Sequence, residues 1–417
     1  MFVVCIRQSR KQKESPMAKG KKKTWHRRRH SVINTLLRWI VTPISRIRYG
    51  IRVEKRQDKR QYLIMMNHQT PFDQFFVTMA LPKQMVYYVG TEDLFSNGFI
   101  SKVIRFAIHP IPFKKSTSDF RAVKDCIRVA KEGYSILLSP EGNRTYSGVT
   151  EHIKPSIATL ARALKLPIAI FKIEGGFGVE PRWADMPRRG SMRAGLSCVI
   201  EPEEYLAMSE EELFGRITKE LHVDDRDHGE RYTHAKAAEY LERVMYVCPH
   251  CGLAHFRSEG DTVQCLDCGM KARYLPDLTF ESLEGDFPYR TVKEWYDAQS
   301  EFIRSKEAFG QEVLYEDTVR FFEVILYQRK RKLCAAAKLR LYADRIECEF
   351  GGNVTAMPFD EVKTVSVLGR NKLDIYIGDQ IFQVKGDKRF NAVKYANLYC
   401  RYHNLQKGEI HGEFLGL

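Results

Sequence analysis

Apolar residues in this chain come first as one amphipathic stretch, then as short unbroken runs, and last in alternation. Val32, Ile33, Leu36, Leu37, Trp39, Ile40 and Ile44 recur at helical spacing, with Arg38 and Arg46 on the other side and an interruption at Pro43. Tyr62-Leu63-Ile64-Met65-Met66 and Ile136-Leu137-Leu138 are continuous apolar runs, as expected of parallel strands covered on both faces; Ile111-Pro112-Phe113 is a shorter one. Beyond Lys338 the period changes to two: Leu339, Leu341 and Ile346, then Val362, Val365, Val367, Leu373, Ile375, Ile377, Ile381 and Val384. Gly351-Gly352 and Gly378-Asp379 punctuate these runs as turns. Thr291 to Phe309 reads as a helix, and Phe390 to His403 as a closing amphipathic helix.

Charge sharpens the first of these elements. The chain is formally +15, yet residues 1–60 hold 19 Lys or Arg against three acids, and the remainder is balanced at 48 bases to 49 acids. The body is neutral and the charge is a tail. Lys21 to Arg29 followed by the amphipathic stretch suits an anionic membrane surface. Contact with nucleic acid or a solubilising role are the alternative uses of such charge, and no nucleic acid is expected. No apolar run approaches the ~18–20 residues of a membrane-spanning helix, so the expected mode is peripheral, on the cytoplasmic face. Residues 1–16 lack a signal-peptide core, and Met17 offers an alternative start.

Two motifs follow the apolar runs. After the first comes Asn67-His68-Gln-Thr-Pro-Phe-Asp73. Thr70 is expected to cap a helix, Pro71 to take its first position and Asp73 to serve as the capping acid. With His68 still in the loop, Asp73 can orient the imidazole while its other nitrogen takes a proton. After the second run comes Ser139-Pro-Glu-Gly-Asn-Arg-Thr145, which offers a carboxylate, a flexible turn and a guanidinium fork suited to phosphate. The ends of strands in open α/β sheets are where sites are built. Taken singly, each motif also fits a plain capped helix or a surface turn.

In that order and spacing the two motifs resemble the glycerolipid acyltransferase family, of which the bacterial lysophosphatidic acid acyltransferases are members. Asn67, His68 and Asp73 match its first block, and Pro140, Glu141, Gly142 and Arg144 match its third, with Asn143 and Thr145 departing. Leu166-Pro167-Ile168-Ala169-Ile170 resembles the fourth block without its second proline. Lys114 and Lys115 stand where the second block ends in arginine, keeping the charge but losing the fork. The resemblance covers roughly residues 30–220. It implies an acyl thioester donor, acyl-CoA or acyl carrier protein, and a phosphate-bearing glycerolipid acceptor. His68 would be the base and Asp73 its orienting partner. Arg144 with Lys114 or Lys115 would bind the acceptor phosphate, and Glu141 and Gly142 would belong to the same acceptor site. No Gly-x-Ser-x-Gly elbow is present, and the substrate supplies the hydroxyl. Backbone N–H groups are expected to stabilise the oxyanion. Lysophosphatidic acid is the expected acceptor; glycerol 3-phosphate or another lysophospholipid is the alternative within the reaction. A non-catalytic membrane adaptor is the alternative in kind.

Cysteine usage adds a second module. Cys248-Pro-His-Cys251 and Cys265-Leu-Asp-Cys268 are Cys-x-x-Cys turns, followed by Gly252 and Gly269. Four thiolates so spaced predict a closed tetrahedral Zn²⁺ site of ribbon type, structural because it has no open position. Cys5, Cys126, Cys198, Cys334, Cys348 and Cys400 are scattered and read as plain residues in a reducing compartment. The expected order is a basic anchor (1–60), an α/β acyltransferase core (61–205), a helical connector (206–245), a small four-cysteine zinc ribbon (246–275), a linker with a helix (276–335) and a mainly β C-terminal domain (336–417). The last resembles pleckstrin-homology or GRAM-like domains in architecture only.

Overall fold

The computed structural model describes residues 24–96, 98–113, 120–227, 229–305, 310–325 and 329–409. Its first half is organised by a 7-stranded sheet: β1 (Ile51–Val53), β2 (Leu63–Met66), β3 (Val86–Thr91), β4 (Ile111–Phe113), β5 (Ser135–Leu138), β6 (Ile168–Glu174) and β7 (Met192–Ile200). The spatial order is β1-β7-β6-β2-β5-β3-β4. Strands β2 to β6 are mutually parallel, β7 pairs antiparallel with β6, and β1 runs parallel to β7. Central β2 is apolar throughout because both faces are covered. Leu63 and Met65 enter one core, with residues of α4 (Phe120–Lys131), α5 (Ser156–Leu164) and α8 (Glu210–Leu221). Ile64 and Met66 enter the other, with Phe76, Val77 and Ala80 of α2 (Asp73–Ala80). This second core runs on without a break through the cysteine module into the C-terminal sheet.

Three local expectations change. Helix α2 begins at Asp73, not Pro71, and Phe72 rather than Thr70 precedes it. The Thr70 hydroxyl donates to Asp73 Oδ1 at 2.6 Å and accepts from the Phe72 N–H at 3.2 Å, which holds residues 70–72 in a turn. Helix α1 (Arg28–Tyr49) runs through Pro43 instead of stopping there. Pro43 lies on the exposed side, where the carbonyl it leaves unpaired reaches solvent. The connector is helical only in α8, which Ser209 and Glu212 close with a reciprocal capping box. Beyond it the chain is irregular but for short 3₁₀ turns at Asp225–Asp227 and Leu241–Arg243. There Asp225 accepts from the Gly175 and Phe177 N–H groups, both at 2.9 Å, pinning the segment to the loop after β6.

The cysteine module is a short pair, Val247–Cys248 with Gly252–Leu253, and a 4-stranded antiparallel sheet from Phe256 to Glu284. A 7-stranded antiparallel sheet follows, closed by the helix Val393–Gln406. It begins with Tyr315–Glu323, upstream of the expected boundary at 336. Its burial alternates over Tyr315, Val319 and Phe321, but Asp317 occupies one of the inward positions, which interrupts the apolar pattern in the sequence.

Helix α1 and helix α3 (Phe99–Ala107) leave large apolar side chains in solvent: Val32, Leu36, Trp39, Ile40, Ile44 and Ile47 on the first, Phe99, Ile100, Val103 and Phe106 on the second. The two helices touch, and Arg29 donates to the Phe106 carbonyl at 3.0 Å. Among the described residues, no helix is long and apolar enough to cross a membrane.

Candidate active site

Parallel pairing of neighbouring strands brings the two sequence motifs together. Register Leu63↔Ile136 and Met65↔Leu138 aligns β2 with β5, so the loops at their C-terminal ends lie side by side. Strand β6 flanks β2 on the other side and contributes the loop 175–182. Asn67 fixes the exit of β2 by exchanging two 2.8 Å hydrogen bonds with the backbone of Ile173 in β6.

His68 stands 2.8 Å from Asp73, through Nδ1 to Oδ2. Asp73 is fully buried and the imidazole is one-quarter exposed. The Asp73 carboxylate also accepts from the N–H groups of Gln69 at 2.7 Å and Thr70 at 3.0 Å, besides the Thr70 hydroxyl. Its oxygens therefore act as acceptors, which assigns the proton to His68 Nδ1 and leaves a lone pair on Nε2. The backbone of His68 is held as firmly. Its N–H donates to Glu141 at 2.7 Å, and its carbonyl accepts from Thr145 N–H at 3.0 Å.

Glu141 faces inward. Its second oxygen accepts from the Glu151 N–H at 2.7 Å, so both oxygens are engaged by backbone and the side chain clamps the two loops together. Burial pushes its carboxyl well above the usual range, against the opposing pull of those N–H donors. Gly142 is exposed and adopts φ 68°, the left-handed region that closes the turn back to Ser139.

Arg144 presents a different picture. Its Nε and Nη2 atoms are buried without a hydrogen-bond partner among the described residues. Burial lowers the guanidinium to about 10, with Glu180 pulling the other way. Arg182 braces it from behind, donating to the Arg144 carbonyl at 3.0 Å and to Asn143 Oδ1 at 3.2 Å, with its guanidinium 4.1 Å above the Tyr146 ring. Glu180, Arg182 and Glu151 gave no signal in the sequence, since each lies away from the motifs. Lys114 and Lys115 lie outside the described residues.

Away from this site the four cysteines converge. Cys248, Cys251, Cys265 and Cys268 place their sulfurs within 4.8 Å of one another, with Cys248–Cys268 at 3.7 Å and Cys251–Cys265 at 3.9 Å. A tetrahedron with Zn–S bonds of about 2.3 Å requires sulfurs about 3.8 Å apart, so the set fits a four-coordinate ion. The Met270 N–H draws the Cys268 thiol down to about 7, while sharing a proton with Cys268 holds the Cys251 thiol up and burial holds Cys265 up.

Residues 50–172 match the family described as Acyltransferase, a span that contains His68, Asp73, Glu141 and Arg144. The chain is 20% identical over 181 residues to the 1-acyl-sn-glycerol-3-phosphate acyltransferase of Bacillus subtilis (strain 168), covering 43% of this chain and 87% of that one. Among solved structures it is similar to the 1-acyl-sn-glycerophosphate (LPA) acyltransferase PlsC from Thermotoga maritima. That match has a TM-score of 0.37 and 18% identity, over 46% of this chain and 74% of the other. The family match thus lies within the first half of the chain, over most of the sheet whose loops carry the two motifs.

Proposed function

We propose that this protein moves a fatty acyl group from an acyl thioester to the free hydroxyl of lysophosphatidic acid. The observation that carries the reading is the His68–Asp73 pair at 2.8 Å, held by backbone donors beside a buried guanidinium with unpartnered nitrogens. His68 Nε2 removes the hydroxyl proton as the oxygen attacks the thioester carbonyl carbon. The new C–O bond gives a tetrahedral oxyanion, which collapses with cleavage of the C–S bond. The thiolate leaves and takes the proton back from His68. Arg144 holds the acceptor phosphate, a task for which a bidentate fork with free N–H groups is suited. Glu141 and Gly142 shape that wall by fixing the turn. The donor is acyl-CoA or acyl carrier protein.

Both substrates are lipids, and the exposed apolar faces of α1 and α3 offer a place to meet them. Basic residues beside those faces suit an anionic bilayer and support a peripheral position on the cytoplasmic face of the membrane. The four cysteines would hold Zn²⁺, which when bound cross-links the module and supplies no catalysis.

The test is incubation of the whole protein with a radiolabelled acyl thioester and acceptors presented in anionic or neutral vesicles. Label is expected in phosphatidic acid, faster from anionic vesicles. Label in no phosphorylated acceptor would overturn the reading, and equal rates from both vesicle types would overturn its membrane part.

A further inference from the structure

The C-terminal sheet reaches back to the first half of the chain through a hairpin turn. Its strands Val362–Leu368 and Lys372–Ile377 are joined by the turn Gly369-Arg370-Asn371. Gly369 takes φ 60°, and Asn371 anchors the turn through Nδ2 to the carbonyls of Gly386 at 3.2 Å and Asp387 at 2.6 Å. Arg182 binds both sides of the junction. The guanidinium that donates to the Arg144 carbonyl also donates to Val367 O at 3.1 Å and Gly369 O at 3.5 Å. Arg370 itself reaches Glu180, with Nη2 2.7 Å from Oε1, while Tyr49 donates to the other oxygen of that carboxylate at 2.7 Å.

Charge is crowded there. Arg144 has Arg182 and Arg370 as cationic neighbours; Glu180 faces Arg144 and pairs with Arg370, Glu151 faces Arg182, and Asp73, which also faces Arg144, is already bound by His68 and the backbone. Asp185 lies 3.8 Å from Arg370 Nε but is already paired with Arg243 at 2.6 Å. Arg370 Nε is buried and makes no hydrogen bond among the described residues, like Nε and Nη2 of Arg144. A buried guanidinium without hydrogen-bond partners, as in Arg144, is costly; Arg370 near it is one-third exposed and paired with Glu180 but keeps an uncommitted Nε, and the two together match a dianionic phosphomonoester. A fold that needed only to dock two domains could have paired them.

We infer that Arg370, carried by the C-terminal sheet, joins Arg144 in gripping the acceptor phosphate, so that the acceptor site is built across two domains. The inference rests on the acyl-transfer reading above. It makes the C-terminal sheet a fixed wall of the site, with Glu180 positioning Arg370 through the 2.7 Å ion pair. Discrimination between phosphorylated and neutral acceptors then resides partly outside the matched segment 50–172.

The experiment uses full-length Arg370→Gln, with Arg340→Gln on the outer face of the same sheet as control. KM for lysophosphatidic acid is expected to rise about 10- to 100-fold, the loss of one charge-assisted contact, with donor KM and kcat unchanged. Use of monoacylglycerol, which has no phosphate, should not change. Because the substitution also strands Glu180, the double variant Arg370→Gln/Glu180→Gln is measured beside it. A KM still raised in the double variant supports a phosphate ligand; recovery to the wild-type value would show Arg370 to be only the partner of Glu180 and overturn the inference. Binding of lysophosphatidic acid is read independently as the rise in unfolding temperature. A wild type that is stabilised without turnover would sink the acyl-transfer reading alone, with Arg370 still judged by loss of that rise. An undiminished rise and KM in Arg370→Gln would sink Arg370 alone.

Discussion

The His68–Asp73 pair and the Arg144 cluster sit on adjacent loops of one sheet, yet their polar groups are treated in opposite ways. Around Asp73 each donor meets an acceptor: two backbone N–H groups, a hydroxyl and the imidazole converge on one carboxylate. Around Arg144 guanidinium nitrogens are buried and left without partners among the described residues. A group whose work is to orient another is best saturated, because any freedom would blur the geometry of the proton transfer. A group whose work is to bind must keep its donors unspent until the ligand arrives. Under the proposed acyl transfer, the difference separates the loop that would perform chemistry from the one that would perform recognition.

The largest effect should come from breaking the saturated side. His68→Ala removes the proposed base while leaving a folded loop, since the bonds to Glu141 and Thr145 use the His68 backbone. Turnover should fall about 10²–10⁴-fold with little change in unfolding temperature. Asp73→Asn should lose less rate and more stability. An amide in that position turns an NH₂ toward donors, which costs about 1–3 kcal/mol. Kinetics and a melting curve on each variant check both statements. Near-wild-type turnover in folded His68→Ala, or an unchanged melting curve for Asp73→Asn, would erase the distinction drawn here.

The saturated side was also the legible one. His68 and Asp73 are five residues apart, and a strand-turn-helix reading is enough to bring them together. Pairing Glu141 and Arg144 with them needed only the guess that two apolar runs are neighbouring parallel strands, which the register Leu63↔Ile136 realises. The recognition side was half hidden. Glu180 and Arg182 come from a loop with no motif, and Arg370 lies 226 positions beyond Arg144 in a turn that reads as an ordinary hairpin tip. Sequence patterns report what lies within one element or its neighbours; contacts made by docking whole domains leave no local period. The helical connector failed for a related reason. Residues 222–245 are charged and polar in sequence, yet Tyr232, Ala238, Leu241 and Met245 are buried by packing against both domains rather than by any helix face.

The four cysteines extend the comparison to a site saturated by design. Zinc content of protein purified without added metal should be about one ion per chain. Cys251→Ser should release it and lower the unfolding temperature, because Cys248 and Cys265 belong to the core that continues into the acyltransferase domain. Below that transition, turnover should stay near wild type, since a coordinatively closed ion has no position for substrate. Elemental analysis and an assay at low temperature check this. Loss of acyl transfer in a Cys251→Ser protein that still melts cooperatively above the assay temperature would place the module in the reaction.

The smallest expected effect separates an orphan atom that awaits a ligand from one that does not. His30 of α1 is buried, its Nδ1 lies 3.0 Å from the Tyr87 hydroxyl, and its Nε2 has no hydrogen bond among the described residues. Unlike Arg144, it has no surplus charge to offer an anion. Burial, with His109 and Arg29 adding repulsion, lowers its imidazole from 6.5 to about 4. The folded protein thus resists a proton that the unfolded chain accepts. The contribution to stability is complete above about pH 6.5 and is lost progressively as pH falls toward 4, with a slope of at most about 1.4 kcal/mol per pH unit for one proton. His30→Phe keeps an aromatic ring in the site and removes the titration. Its unfolding temperature should therefore fall less between pH 6.5 and 4 than that of the wild type, while the two curves run parallel above pH 7. Superimposable slopes on the acid side would mean that His30 takes its proton at the same pH in the folded and unfolded states and that its unpartnered nitrogen has no measurable consequence, leaving the arginine cluster as the place where an orphan donor matters.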